Sequence, residues 1–145
     1  MKNLTYSPDS ENEKSVEQLQ EDTIAWDKLL HVSTDEILFL RQLLSSDVFE
    51  NNNMEFFENL HDMVIALEDF KAEKIDLHVT INNHKNDLNG MRECEDISCD
   101  MFYHSEHKKL EDRVQTFITQ FQALKLKIYT YITPHFRKLQ TETDK

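Results

Sequence analysis

Between Pro8 and Pro134 the only residue that resists helix on intrinsic grounds is Gly90. A chain with so few breakers has almost nothing to interrupt a helix, and the spacing of its apolar residues decides which helices form. In the first segment Val16, Leu19, Thr23, Trp26, Leu30, Ser33, Ile37, Leu40 and Leu44 alternate by three and four, the seam of a coiled-coil-like helix. Ser7 before Pro8, or Ser10 with Glu13 three residues on, supplies a start signal, and SSDVFENNN supplies the break. The second segment opens with Asn52 and Glu55 at capping-box spacing. Its seam runs from Phe56 through Leu60, Met63, Leu67, Phe70, Lys74, Leu77, Ile81, His84 and Leu88 to Met91. The third runs from Tyr103 through His107, Leu110, Val114, Phe117, Phe121, Leu124 and Ile128 to Tyr131, and the spacing ends it at Pro134.

These patterns predict an all-α protein with one domain over 1–145, a chain length suited to a single core. The helices are expected at about 10–46, 53–91 and 98–133, with flexible ends at 1–7 and 134–145. Short connections make consecutive helices antiparallel neighbours, giving an up-down-up three-helix bundle. A second turn centred near residue 95 sets His84 opposite His107, Leu77 opposite Val114 and Phe70 opposite Phe121. A first turn centred near 49 or 50 sets Trp26 beside Lys74, Leu30 beside Phe70 and Leu40 beside Leu60. In that arrangement Lys74 either lies over the indole or carries its ammonium outward to water.

Chemistry-bearing residues gather in one stretch, ECEDISCDMFYHSEH, from Glu93 to His107. Cys94, Cys99, His104 and His107, with His84 from the preceding helix, fall at one end of the bundle among many carboxylates. Thiolate, imidazole and carboxylate together suit zinc or another divalent metal. Against that, the spacing lacks a Cys-x-x-Cys knuckle, and an acidic tip is expected wherever helix N-termini cluster. The alternative is a capped turn, with Ser98 as N-cap, Asp100 near the positive helix end, and His84 and His107 as a polar layer. Two cysteines are too few for a disulfide framework, and in a reducing compartment they stay thiols unless metal holds them.

The rest of the sequence narrows the function by exclusion. A net charge of −12 argues against a nucleic-acid partner. No segment reaches the roughly twenty apolar residues of a membrane span, and the start of the chain has no apolar leader core, so a soluble, cytoplasmic protein is expected. Glu58 and His61 form an isolated Glu-x-x-His, whereas a di-iron bundle needs the motif twice. A single glycine makes a phosphate-cradling loop hard to build, and no nucleophile arrangement is recognisable, so enzymatic activity is not expected.

What remains is surface. The first helix carries a second apolar stripe of Ala25, Leu29, Val32, Phe39 and Leu43, interrupted by Glu36, and the third carries Ile118, Leu126, Tyr129 and Ile132. Such width either belongs to the wedge of a three-helix core or offers a docking face. The sequence thus points to a non-enzymatic interaction or scaffold protein. It would bind a protein partner, or itself as a homodimer, through Leu29, Val32, Phe39 and Leu43. The alternative is a metal-binding or metal-sensing bundle using His84, His107, His104, Cys94 and Cys99.

Overall fold

The computed structural model describes the backbone of residues 14–143 and the side chains of residues 14–136. Three helices dominate: α1 (Val16–Leu44), α2 (Met54–Asp87) and α3 (Ile97–Thr143), with short 3-10 segments at Asp47–Phe49 and Leu88–Glu93 and no strand among the described residues. They form the antiparallel three-helix bundle expected from the seams. The nine seam positions of the first segment are the nine buried residues of α1. No described helix is long and apolar enough to cross a membrane.

Caps differ from the expected ones by a few residues. Ser15 and Gln18 make a reciprocal capping box at the start of α1, while Ser7, Pro8, Ser10 and Glu13 lie outside the described residues. Asn53, not Asn52, accepts the Phe56 amide at the start of α2; the Asn52 amide instead donates to the Phe49 carbonyl. Asp96, not Ser98, caps α3 by accepting the Cys99 amide at 2.8 Å, which shifts every position of that first turn.

The α2–α3 register is the expected one. His84 meets His107, Phe70 packs on Phe121, and Asn59 bonds to the Tyr131 hydroxyl. Across the same seam, Arg113 forks onto Glu73 and also pairs with Asp76. The α1–α2 register is different. Lys74 donates to Thr34 at 2.6 Å rather than lying beside Trp26, a displacement of about two helical turns. Asp27 with His78, Arg41 with Glu68, Gln20 with Asn89 and Glu17 with Arg92 follow the same shifted register.

The displacement has a cause in the connection. Residues 45–53 do not form a tight turn; the Asp47–Phe49 segment buries Phe49 at 1% exposure. There Phe49 packs on Phe56 at 5.5 Å and on Phe136 at 5.3 Å between ring centroids. The first turns of α2 therefore extend past the end of α1, and Phe49 fills the space that α1 leaves.

The same cluster carries α3 beyond its expected end. Pro134 lies inside α3, where a missing N–H and a clash with the preceding turn cost about 3 kcal/mol. The residues that follow it are held by side-chain contacts, His135 on Phe56 at 4.1 Å and Phe136 on Phe49. Thr133 also turns its hydroxyl onto the Tyr129 carbonyl.

Two substitutions test this packing. Phe49→Ala should lower unfolding free energy in urea by about 3–5 kcal/mol and expose the turn after Pro134 to faster amide exchange. Gly90 faces Tyr103, so that a Cβ there would lie 2.7 Å from the phenolic oxygen. Gly90→Ala should cost about 1–3 kcal/mol, and adding Tyr103→Phe should recover most of it by removing that oxygen.

Candidate functional site

Among the described residues, a buried polar cluster that joins all three helices centres on His107. Its Nδ1 lies 2.8 Å from His84 Nε2 on α2, and its Nε2 lies 2.9 Å from Asp22 Oδ2 on α1. Lys14 donates to the same Asp22 oxygen at 2.7 Å. Trp26 packs its indole against the His107 ring, 4.7 Å between centroids. Both histidines are buried.

The protonation states follow from the bonds. Burial pushes the Asp22 carboxyl up, but hydrogen bonds from Lys14 and His107 outweigh it and hold the group below the ordinary aspartate range. An ionised Asp22 only accepts, so His107 carries its proton on Nε2. Neutral His107 then presents the Nδ1 lone pair, and His84 must donate from Nε2. His84 Nδ1 is left as a lone pair beside the shallow cleft between α2 and α3 that His84 shares with Asp87, Tyr103, Glu106 and Arg113.

Burial lowers the proton affinity of both imidazoles. For His84 the proximity of His107 adds to the lowering, against the opposing pull of Asp87 and Glu106. For His107 burial outweighs the pull of Asp22 and Glu111, with Lys14 adding to the lowering.

The structure divides the five candidate metal ligands into separate groups, with His84 hydrogen-bonded to His107. Cys94 and Cys99 are linked to each other as a disulfide, with Cα atoms 5.5 Å apart. The thiol state expected from the sequence is therefore not the one found. The reason is local: the Asp96-capped turn folds the chain back within five residues, close enough for a bridge. His104 sits over Asp100, Nε2 to Oδ2 3.5 Å, in the first turns of α3. Asp100 lies in the first turn of α3, near the helix end as expected, and is fully buried there. Among the described residues no group of three or more His, Cys, Asp or Glu side chains is placed to share a metal ion. In this state the facing nitrogens of His84 and His107 satisfy one another, whereas two imidazoles on one zinc, each at about 2.0–2.1 Å, must stand further apart.

Sequence reasoning found the histidine layer and missed Asp22, Lys14 and Trp26. The α1 register hid them, because a first turn centred near residue 50 puts Val16 rather than Asp22 and Trp26 at the level of His84. Asp22 orients His107 much as a triad carboxylate orients its histidine, but through Nε2 rather than Nδ1, and the third member is a second imidazole instead of a hydroxyl or thiol.

The expected interaction face divides. Leu43 packs against the core, Leu29 is about half exposed, and Val32 and Phe39 stand out at 54% and 59% exposure. On α3, Ile132 is buried and Ile118 packs against the core, whereas Leu126 and Tyr129 remain exposed. No family model, curated protein or solved structure matches the chain.

The neutral histidine pair fixes the sign of a pH dependence. Both groups take up protons less readily when folded, so as pH falls through about 6.5 the unfolded chain is protonated first. The stability tied to the neutral pair is complete above that pH and declines below it, by at most about 1.4 kcal/mol per pH unit for each proton. Melting temperature should fall between pH 7.5 and 5.5, and His107→Gln should flatten that fall. Equal slopes in the two proteins would contradict the assignment.

Proposed function

We propose that this chain is a non-enzymatic interaction protein that docks a protein partner along the outward face of α1. The observation that carries the reading is the composition of that face. Val32 and Phe39, with Ile24 and Leu38 on the neighbouring row, are 42–59% exposed on a helix whose core seam is already filled. An outer face of a bundle helix is ordinarily polar, and apolar residues at helical spacing over four turns suit another helix.

The flanks of α1 are already occupied. Asp27, Thr34 and Arg41 engage α2, and Asp22 and Glu36 engage α3, Glu36 through Lys125 at 2.8 Å. Val32 and Phe39 therefore lie outside the wedge between the other two helices, and packing inside the bundle does not account for them.

A photo-crosslinking residue at Val32, compared with one at the exposed polar position Gln122, tests the assignment in the native cell. A discrete adduct is expected from position 32 and none from 122. In parallel, Val32→Glu with Phe39→Glu should leave the melting temperature within a few degrees of the parent. A large loss of stability would return these residues to the core, and no adduct at position 32 would remove the docking face.

A further inference from the structure

The outward face of α1 is complementary to itself. Its mid-line carries Lys28 and Asp35, seven residues apart, both exposed and neither in an ion pair among the described residues. On either side of that line lie Ile24, His31 and Leu38 on one row, and Ala25, Val32 and Phe39 on the other. We infer that the partner of this face is a second copy of the chain, docked with its α1 antiparallel and the two-fold axis passing between His31 and Val32. The inference rests on the reading of that face as a docking surface and names its occupant.

An antiparallel helix pair in a two-fold dimer brings each residue opposite the one equally far from the axis on the other side. With the axis between residues 31 and 32, Lys28 meets Asp35 of the second copy, and Asp35 meets its Lys28. The two-fold thus forms the same ion pair twice from charges left unmatched within one chain. The two-fold keeps each row against the same row of the second copy, so Ile24 comes beside Leu38 and Ala25 beside Phe39, while His31 and Val32 each lie near their own counterparts at the axis. Glu21 meets Gln42, which closes the apolar stretch with polar residues at both ends.

A parallel pair gives the opposite result. It sets Lys28 against Lys28 and Asp35 against Asp35, and like charges face each other in both layers. Charge complementarity therefore selects the antiparallel arrangement as well as the occupant.

A contact between two helix faces over about four turns is small for a dimer, and association in the micromolar range follows. Mixed-charge pairs at its centre act on orientation and partner choice more than on raw affinity.

The test uses the full chain in sedimentation velocity over a range from one micromolar to several hundred. The parent should dimerise. Lys28→Glu and Asp35→Lys, each alone, set two like-charge pairs at the axis and should weaken self-association by about tenfold or more. Both changes in one chain should restore it. An equimolar mixture of the two single variants, one isotopically labelled, should form heterodimers in native mass spectrometry, because each foreign pairing is again attractive. Circular dichroism should be unchanged throughout, since both positions are exposed.

A parent that stays monomeric overturns the inference. If position 32 still crosslinks to a different protein, the docking face stands with another occupant. A dimer that dissolves on Val32→Glu with Phe39→Glu but ignores the charge changes keeps the face and overturns the antiparallel register.

Discussion

Every layer of this bundle depends on how α1 is set against the α2–α3 hairpin, and that setting is made where Phe49 folds back into the core. A tight turn after Leu44 would bring the start of α2 level with the end of α1. Burying Phe49 against Phe56 and Phe136 instead carries α2 about two turns further along. The apolar gain is that of a large aromatic taken out of water, about 1.5–3 kcal/mol before its ring contacts are considered. The same contacts continue α3 past Pro134, so one aromatic side chain in a nine-residue connection determines both the register of α1 and the course of α3.

The polar line across the other end is a consequence of that register. Only with α1 in its observed position do Asp22 and Trp26 reach the His84–His107 layer. In another register of α1 the His84–His107 bond would persist, but the buried His107 Nε2–H would lose Asp22, at about 1–3 kcal/mol for an unsatisfied group. Hydrophobic seams of similar residues slide against each other at modest cost, whereas a line of hydrogen-bonded polar residues does not. Specification of register is the best-attested use of polar residues in helical cores, and the arrangement Lys14, Asp22, His107, His84 fits it.

The seams were legible because burial on a helix is periodic: the residues spaced by three and four from Val16 to Leu44 are the buried ones. The second hairpin was legible too, since Leu88 to Tyr103 leaves little room for alternative pairings, and His84 and His107 meet as the spacing requires. The first hairpin was not. SSDVFENNN reads locally as a polar turn, and nothing in its neighbours shows that Phe49 packs with residues more than eighty positions away. The continuation past Pro134 was hidden by the same long-range contact, and the Cys94–Cys99 bridge by a cap, Asp96, whose geometry depends on where α3 starts. In each case a local rule gave way to packing or a turn that local composition does not encode.

Net charge bears on how such a chain meets a second copy. At −12, two copies repel at long range, and a dimer is possible only where the facing surfaces are locally close to neutral. Along α1 from Ile24 to Phe39 the acids are Asp27, Asp35 and Glu36. Asp27 is engaged by His78, Glu36 is neutralised by Lys125, and Lys28 balances Asp35. The excess of carboxylate sits elsewhere, much of it around the turn between α2 and α3. Repulsion between those distant charges is screened over about 8–10 Å at ordinary ionic strength, while the Lys28 and Asp35 pairs act at contact and are screened less when partly covered. The proposed dimer face is thus a locally near-neutral part of an acidic molecule, where self-contact meets little repulsion.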